Sequence, residues 1–174
     1  MKSLALGLCA LFCVVAWADL TEVDALPSSD DEDAAQPVLA LFTYANTQYG
    51  LSLNKLTWYE AQLFCAEQEY VLANIPSESM QTTILNFIQS SAVDELSSLV
   101  NEPIWVSGTN QGLGTQYVWH SSGARFTYRN FLRNPSSGYR CVAINGLTGD
   151  WTDESCRDRH YFVCELQPCV PKTT

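Results

Sequence analysis

Between Asp19 and Asn54 the chain has no lysine or arginine, although seven of its 19 acidic residues fall there. Histidine is scarce: His120 and His160 are the only two, and neither stands in a zinc-binding or nucleophile-activating pattern. No Cys-x-x-Cys pair, no phosphate-cradling glycine loop and no internal repeat occurs. Asp150 and Asp153 are close in sequence but have no evident neighbours to raise a carboxyl pKa, and the serines stand in no catalytic motif. These absences argue against an enzyme and against a zinc protein. With a net charge of −10, nucleic acid is not an expected partner. N-glycosylation is excluded as well, because the nearest approach to a sequon, Asn134-Pro135-Ser136, is blocked by its proline.

One long apolar run is present, Leu4 to Ala18, and it follows Lys2 and ends in Ala16-Trp17-Ala18. A positive start, an apolar stretch too short for a comfortable membrane span and a small-x-small ending predict a signal peptide over residues 1–18. A secreted, extracellular protein without membrane insertion is therefore expected. Removal of that segment takes away Cys9 and Cys13 and leaves Cys65, Cys141, Cys156, Cys164 and Cys169. In an oxidising compartment these read as disulfide partners, and the odd count leaves at least one thiol over. Residues 19–38 carry "LPSSDDEDAAQP" and few bulky apolar side chains, which predicts a disordered acidic leader. From Val38 onward acids and bases are nearly balanced, at 12 against 8.

From Leu39 the texture changes to "LALFTYANTQYGLSL", which predicts strands. "LTWYEAQLFCAEQ" places Trp58, Leu63 and Cys65 at helical spacings, with Thr57 as N-cap and Glu60 three residues on. Met80, Ile84, Phe87 and Ile88 form the apolar face of a second helix announced by Pro76-Ser77. Beyond Ser97 the period shortens: "EPIWVSGTN", the alternating "TQYVWHSSGARFTY" with a turn at Ser122-Gly123, "YRCVAING" and "HYFVCEL" read as strands between long loops. Two helices followed by several antiparallel strands predict an α+β domain over residues 39–166, with a tail at 167–174.

These segments, in this order, resemble the C-type lectin-like domain. "WYEAQLFC", "VLANIPSESMQ", "IWVSGTN", "YVWHSSGARFTY", the cysteine at 141, the Trp-x-Asp-x-x-Cys element at 151–156 and "YFVCE" are similar to the family's successive motifs. The resemblance implies that fold in its short form, two helices packed on antiparallel sheets with a long loop region. It also implies the disulfides Cys65–Cys164 and Cys141–Cys156, one choice among the three pairings that sequence alone leaves open. Cys169 has no partner in that pattern; an interchain bridge giving a disulfide-linked homodimer stands beside a free or capped thiol.

In sugar-binding members of the family calcium is held by a loop tripeptide, by a glutamate two residues before the third cysteine, and by an Asn-Asp pair after a tryptophan. Here the corresponding positions are Asn134-Pro135-Ser136, Tyr139, and Thr152-Asp153. Pro135 is expected to supply the cis turn of the family. Hard cations take about six to eight oxygens, several of them charged, and Asp153 is the one carboxylate left among these positions. The resemblance thus implies a binding face made of Asn134, Ser136, Tyr139, Arg140, Thr152 and Asp153, with Asp153 the only candidate metal ligand. No cofactor is expected, calcium being the one left open. The expected function is a secreted C-type lectin-like binding protein that recognises a carbohydrate or protein ligand, with a glycan or glycoprotein as partner, independent of calcium. The alternative is a calcium-dependent lectin with a non-standard ligand set.

Arg125, Arg129, Arg133, Arg140, Arg157 and Arg159 crowd the same region. Pairing with Asp150, Glu154 and Asp158 at the surface is the expectation, and an anionic ligand is the alternative use of their forked donors. Trp105, Trp119 and Trp151 are expected in the core, and Tyr128 and Tyr139 on exposed loops.

Overall fold

The computed structural model describes residues 38–91, 99–111 and 113–167. The expected signal peptide, the leader up to Pro37, Cys169 and the tail beyond Gln167 lie outside the described residues. Strands β1 (Leu39–Tyr44) and β2 (Thr47–Ser52) form a hairpin whose turn residues Ala45 and Asn46 both take positive φ. Helix α1 (Trp58–Glu67), strand β3 (Tyr70–Leu72), helix α2 (Glu78–Ser91) and a short 3-10 turn at Leu99–Asn101 follow. Then come β4 (Pro103–Thr109), β5 (Val118–Trp119), β6 (Arg140–Asn145), β7 (Trp151–Ser155) and β8 (Tyr161–Leu166).

The strands run in the order β1-β2-β8-β4-β6-β7, with β3 added to β8 and β5 to β4. Most pairs are antiparallel as expected, but β4 and β8 pair in parallel, so the sheet is mixed. The alternating segment around Trp119 delivers less strand than its pattern promised. Only Val118–Trp119 pairs with β4, and the return leg is a single bridge from Val118 to Arg125.

Helix α1 starts as its sequence dictates. Thr57 N–H donates to Glu60 Oε2 at 2.8 Å, and Glu60 N–H donates back to Thr57 Oγ1 at 3.3 Å, closing a capping box. Its inner face is Trp58, Ala61, Phe64 and Cys65. Leu63, expected among the helix's apolar positions, points outward and is 61% exposed, because the buried stripe is Trp58, Ala61, Phe64 and Cys65 at three- and four-residue spacing and Leu63 falls off it. On α2, Met80, Ile84 and Ile88 are buried, and Phe87 packs partly buried against the same cluster.

The core has two parts. One gathers α2, Trp119, Phe126 and Trp151; the other gathers α1 with Trp105, Phe162 and all four paired cysteines. Three of the buried indoles find acceptors, which removes the cost of an orphaned N–H. Trp58 Nε1 donates to Val106 O at 2.8 Å, Trp105 Nε1 to Leu56 O at 3.1 Å, and Trp151 Nε1 to Gln81 Oε1 at 2.7 Å. At Gly108 a Cβ would meet Phe126 and Val142 at 2.7 and 2.9 Å, so only glycine lets these side chains close over β4.

Disulfides join Cys65 on α1 to Cys164 on β8, and Cys141 on β6 to Cys156 just after β7. This is the pairing the resemblance implies. The bridges span 99 and 15 residues of sequence, and in the chain-entropy account they are worth about 4.7 and 3 kcal/mol. The shorter bridge fixes β6 to the end of β7, and the candidate ligand-binding loop enters β6 directly above it.

Candidate functional site

The long loop between β5 and β6 is laid against β7 by its own backbone. Trp151 N–H donates to Asn130 O at 2.8 Å, and Leu132 N–H donates to Trp151 O at 3.0 Å, so residues 130–132 run alongside β7. Asn130 Nδ2 reinforces this by donating to Gly149 O at 2.9 Å. Gly149 has φ +76°, and a Cβ there would press on Leu85 at 2.7 Å, so the turn into β7 requires glycine.

Farther along, the loop closes on Asp153. Ser136 N–H donates to Asp153 Oδ2 at 3.0 Å, and the Arg140 guanidinium Nε lies 3.7 Å from the same oxygen. Ser136 O in turn accepts from Asn110 Nδ2 and from the Tyr117 hydroxyl, both at 3.2 Å. Asn110 is almost fully buried and also binds the next strand: its Oδ1 accepts from Arg140 N–H at 2.8 Å. Asn110 therefore holds the loop at both Ser136 and Arg140. Burial raises the Tyr117 hydroxyl pKa to about 12, with the Asp153 charge adding to the rise and Arg140 partly offsetting it.

The other expected site residues are spread along the same loop face. Asn134 lines a hollow of about 380 Å³ formed by residues 129–135. Thr152 and Asp153 line a second, of about 200 Å³, that shares Leu132 and Arg133 with the first. Thr152 Oγ1 is buried without a hydrogen-bond partner. Tyr139 is 78% exposed and borders a third hollow, of about 260 Å³, with Asn110, Gly114 and Gly138. Ser136, Arg140 and Asp153 are brought into direct contact; Asn134, Tyr139 and Thr152 stand around them without touching one another through any hydrogen bond.

Three expectations need correction. The Asn134–Pro135 bond is trans, as are all peptide bonds among the described residues. Tyr128 is half-buried, its ring edge-on to Trp151 at 5.5 Å and its hydroxyl pKa raised by burial, so it is no free loop aromatic. The arginines do not pair with Asp150, Glu154 or Asp158: Arg140 meets Asp153, and Arg159 meets Glu60 at 3.5 Å while donating to Lys55 O. Asp150 accepts instead from the Thr148 hydroxyl. Trp105, Trp119 and Trp151 are core residues, as their apolar strands predicted.

The fit to calcium can be judged from the donor set. Among the described residues no three His, Cys, Asp or Glu side chains gather as a metal cluster. Asp153, the one carboxylate among the positions that the resemblance implies for calcium, already accepts a backbone N–H and faces a guanidinium, which would repel a divalent cation. Neutral Asn134 and Ser136 cannot restore the missing charge, so these residues do not fit a calcium shell.

The scaffold decides the family. The model for the C-type lectin domain matches residues 54–166. The chain belongs to this family. Lithostathine-1 of Mus musculus is 25% identical over 130 residues, covering 71% of this chain and 74% of that protein. In fold, the chain is similar to human lithostathine, with a TM-score of 0.63 at 24% identity, covering 74% of this chain and 97% of the other. It is also similar to the carbohydrate-recognition domain of the mouse scavenger receptor C-type lectin, with a TM-score of 0.59 at 24% identity and coverage of 75% and 97%. This C-type lectin domain thus carries its long loop, its paired cysteines and its Trp151 element on the family's scaffold.

Asn110 is a residue of the candidate face that sequence reasoning missed. Its signal was faint: it follows Ser107 and Thr109 at the end of the strand as one more polar residue, with partners 26 and 30 residues away.

Proposed function

We propose that this C-type lectin domain is a secreted, non-catalytic binding protein that takes a glycan or glycoprotein on the face formed by Asn134, Ser136, Tyr139, Arg140, Thr152 and Asp153, without calcium. The observation that carries this reading is the closure of Asp153 by Ser136 N–H and Arg140. The protein's own cation and donor stand where a calcium ion would need free carboxylate oxygen. Tyr139, exposed beside the third hollow, offers an aromatic face for the apolar side of a sugar ring. Asn134 and Ser136 offer polar groups for its hydroxyls. A carbohydrate-recognition domain among the similar folds supports a glycan as the ligand class. Among the described residues no helix is long and apolar enough to cross a membrane, and secretion rests on the signal-like segment at residues 1–18.

The test is a glycan array probed with the mature chain, first in calcium and then in chelator. Binding that persists in chelator and is lost in Tyr139→Ala supports the reading. Binding that chelator abolishes, or no binding to any glycan, overturns it.

A further inference from the structure

From Pro103 to Gly149 the chain contains no aspartate or glutamate, yet it carries Arg125, Arg129, Arg133 and Arg140. Arg140 is committed to Asp153. Arg129 and Arg133 are exposed, enter no ion pair among the described residues, and line the same hollow of about 380 Å³. We propose that Arg129 and Arg133 form an anion-binding subsite that takes the sulfate groups of a sulfated glycan. This rests on the reading that the loop face binds sugar, and it names the sugar's chemistry.

Three features favour that ligand. The first is the frame. Both arginines project from a segment whose centre is fixed to Trp151 by two backbone hydrogen bonds and to Gly149 by the Asn130 amide. The loop therefore need not be ordered by the ligand, which lowers the entropic cost of binding. The second is charge placement. No carboxylate lines this hollow; Asp153 and Glu154 line the adjoining one, beyond Leu132 and Arg133. An anion is thereby directed to the arginine side, while the exposed Asn134 amide remains available to a neighbouring hydroxyl. The third is the donor type. A guanidinium is weakly hydrated and presents paired N–H groups that match the oxygens of sulfate.

Within residues 103–149 the sign of the charge is reversed, with four arginines and no acid. At physiological salt, charges act over only about 8 Å, so the contact is set by its immediate neighbours.

The experiment compares binding of the mature chain to heparin oligosaccharides, to the same oligosaccharides chemically desulfated, and to poly-glutamate. It is run with the wild type, with the double variant Arg129→Gln/Arg133→Gln, and with Arg157→Gln as an arginine outside the hollow. The expected result is preference for the sulfated sugar, weakened by salt, insensitive to chelator and unchanged in Arg157→Gln. The double variant should bind it about tenfold more weakly, the product of two exposed charged contacts. Its melting temperature should stay that of the wild type, since neither arginine supports the fold. Equal binding of sulfated and desulfated sugar overturns the proposal while leaving sugar recognition intact. Binding of neither sugar removes both. Equal weakening by Arg157→Gln, or poly-glutamate bound as tightly as heparin, overturns it in favour of diffuse charge attraction.

Discussion

Asp153 accepts a hydrogen bond from Ser136 N–H and faces Arg140, and through Ser136 it reaches Asn110 and Tyr117. The two partnerships differ in strength. The Ser136 bond has ordinary hydrogen-bond length, 3.0 Å, and is made to a carboxylate whose side chain is 17% exposed, whereas the Arg140 contact is 3.7 Å and its side chain is 39% exposed, so solvent screens it. Asp153→Ala should therefore destabilise the domain by about 1 kcal/mol, the value of one charge-assisted hydrogen bond near the surface. That corresponds to a drop of about 3 °C in melting temperature. Asp153→Asn keeps an acceptor for Ser136 and should lose less than half of that. Thermal melts of the two variants check the order, and an asparagine variant as unstable as the alanine one would mean that charge, and not the hydrogen bond, holds the loop.

Strand β8 and the residue before it concentrate the buried titratable groups. The His160 ring lies 4.5 Å from that of Trp105, with Nε2 buried and without a partner. Burial holds its pKa below the usual 6.5, against the opposing pull of Glu154, Asp158 and Glu102. The unfolded chain thus protonates His160 before the fold does, and stability falls as pH drops from about 6.5 through the lower folded value. Glu165 behaves in the opposite sense. Burial raises its pKa above 4.5 despite hydrogen bonds from Asn74 N–H and the Tyr49 hydroxyl. The fold therefore binds that proton first, and stability rises as pH falls from the raised value towards 4.5. His160→Gln should leave only the rise on acidification, and Glu165→Gln only the fall. Denaturant midpoints across this range read both slopes; unchanged slopes in either variant would contradict the assignment.

Elements also differ in how far the sequence announces them. Thr57 and Glu60 sit at the spacing of a capping box, and Met80, Ile84 and Ile88 at the spacing of one helical face, so both helices are legible. Strand β7 is not legible by periodicity. Only Trp151 of its five residues is fully buried, and Thr-Asp-Glu-Ser follows on an edge strand with no apolar alternation. The parallel contact of β4 with β8 and the burial of Asn110 depend on partners distant in sequence, which no local pattern encodes. On the loop face, the residue types at 134–140 and 152–153 can be read directly, but the closure of Asp153 by Arg140 cannot.

At the level of the whole domain, two disulfides and two core clusters support the long loop region that carries the candidate face. Family membership fixes the scaffold, and the residues on the loop face fix whether a metal takes part. A calcium titration of the mature chain, followed by calorimetry and by thermal melting, tests that point most directly. A ligand that binds only the folded state raises stability by RT ln(1 + [L]/Kd), about 2.7 kcal/mol at a hundredfold excess over Kd. With Asp153 closed by Ser136 and Arg140, the predicted result is no saturable heat and an unchanged melting temperature at millimolar calcium. A saturable heat with a rise of several degrees, both abolished by Asp153→Asn, would contradict the account.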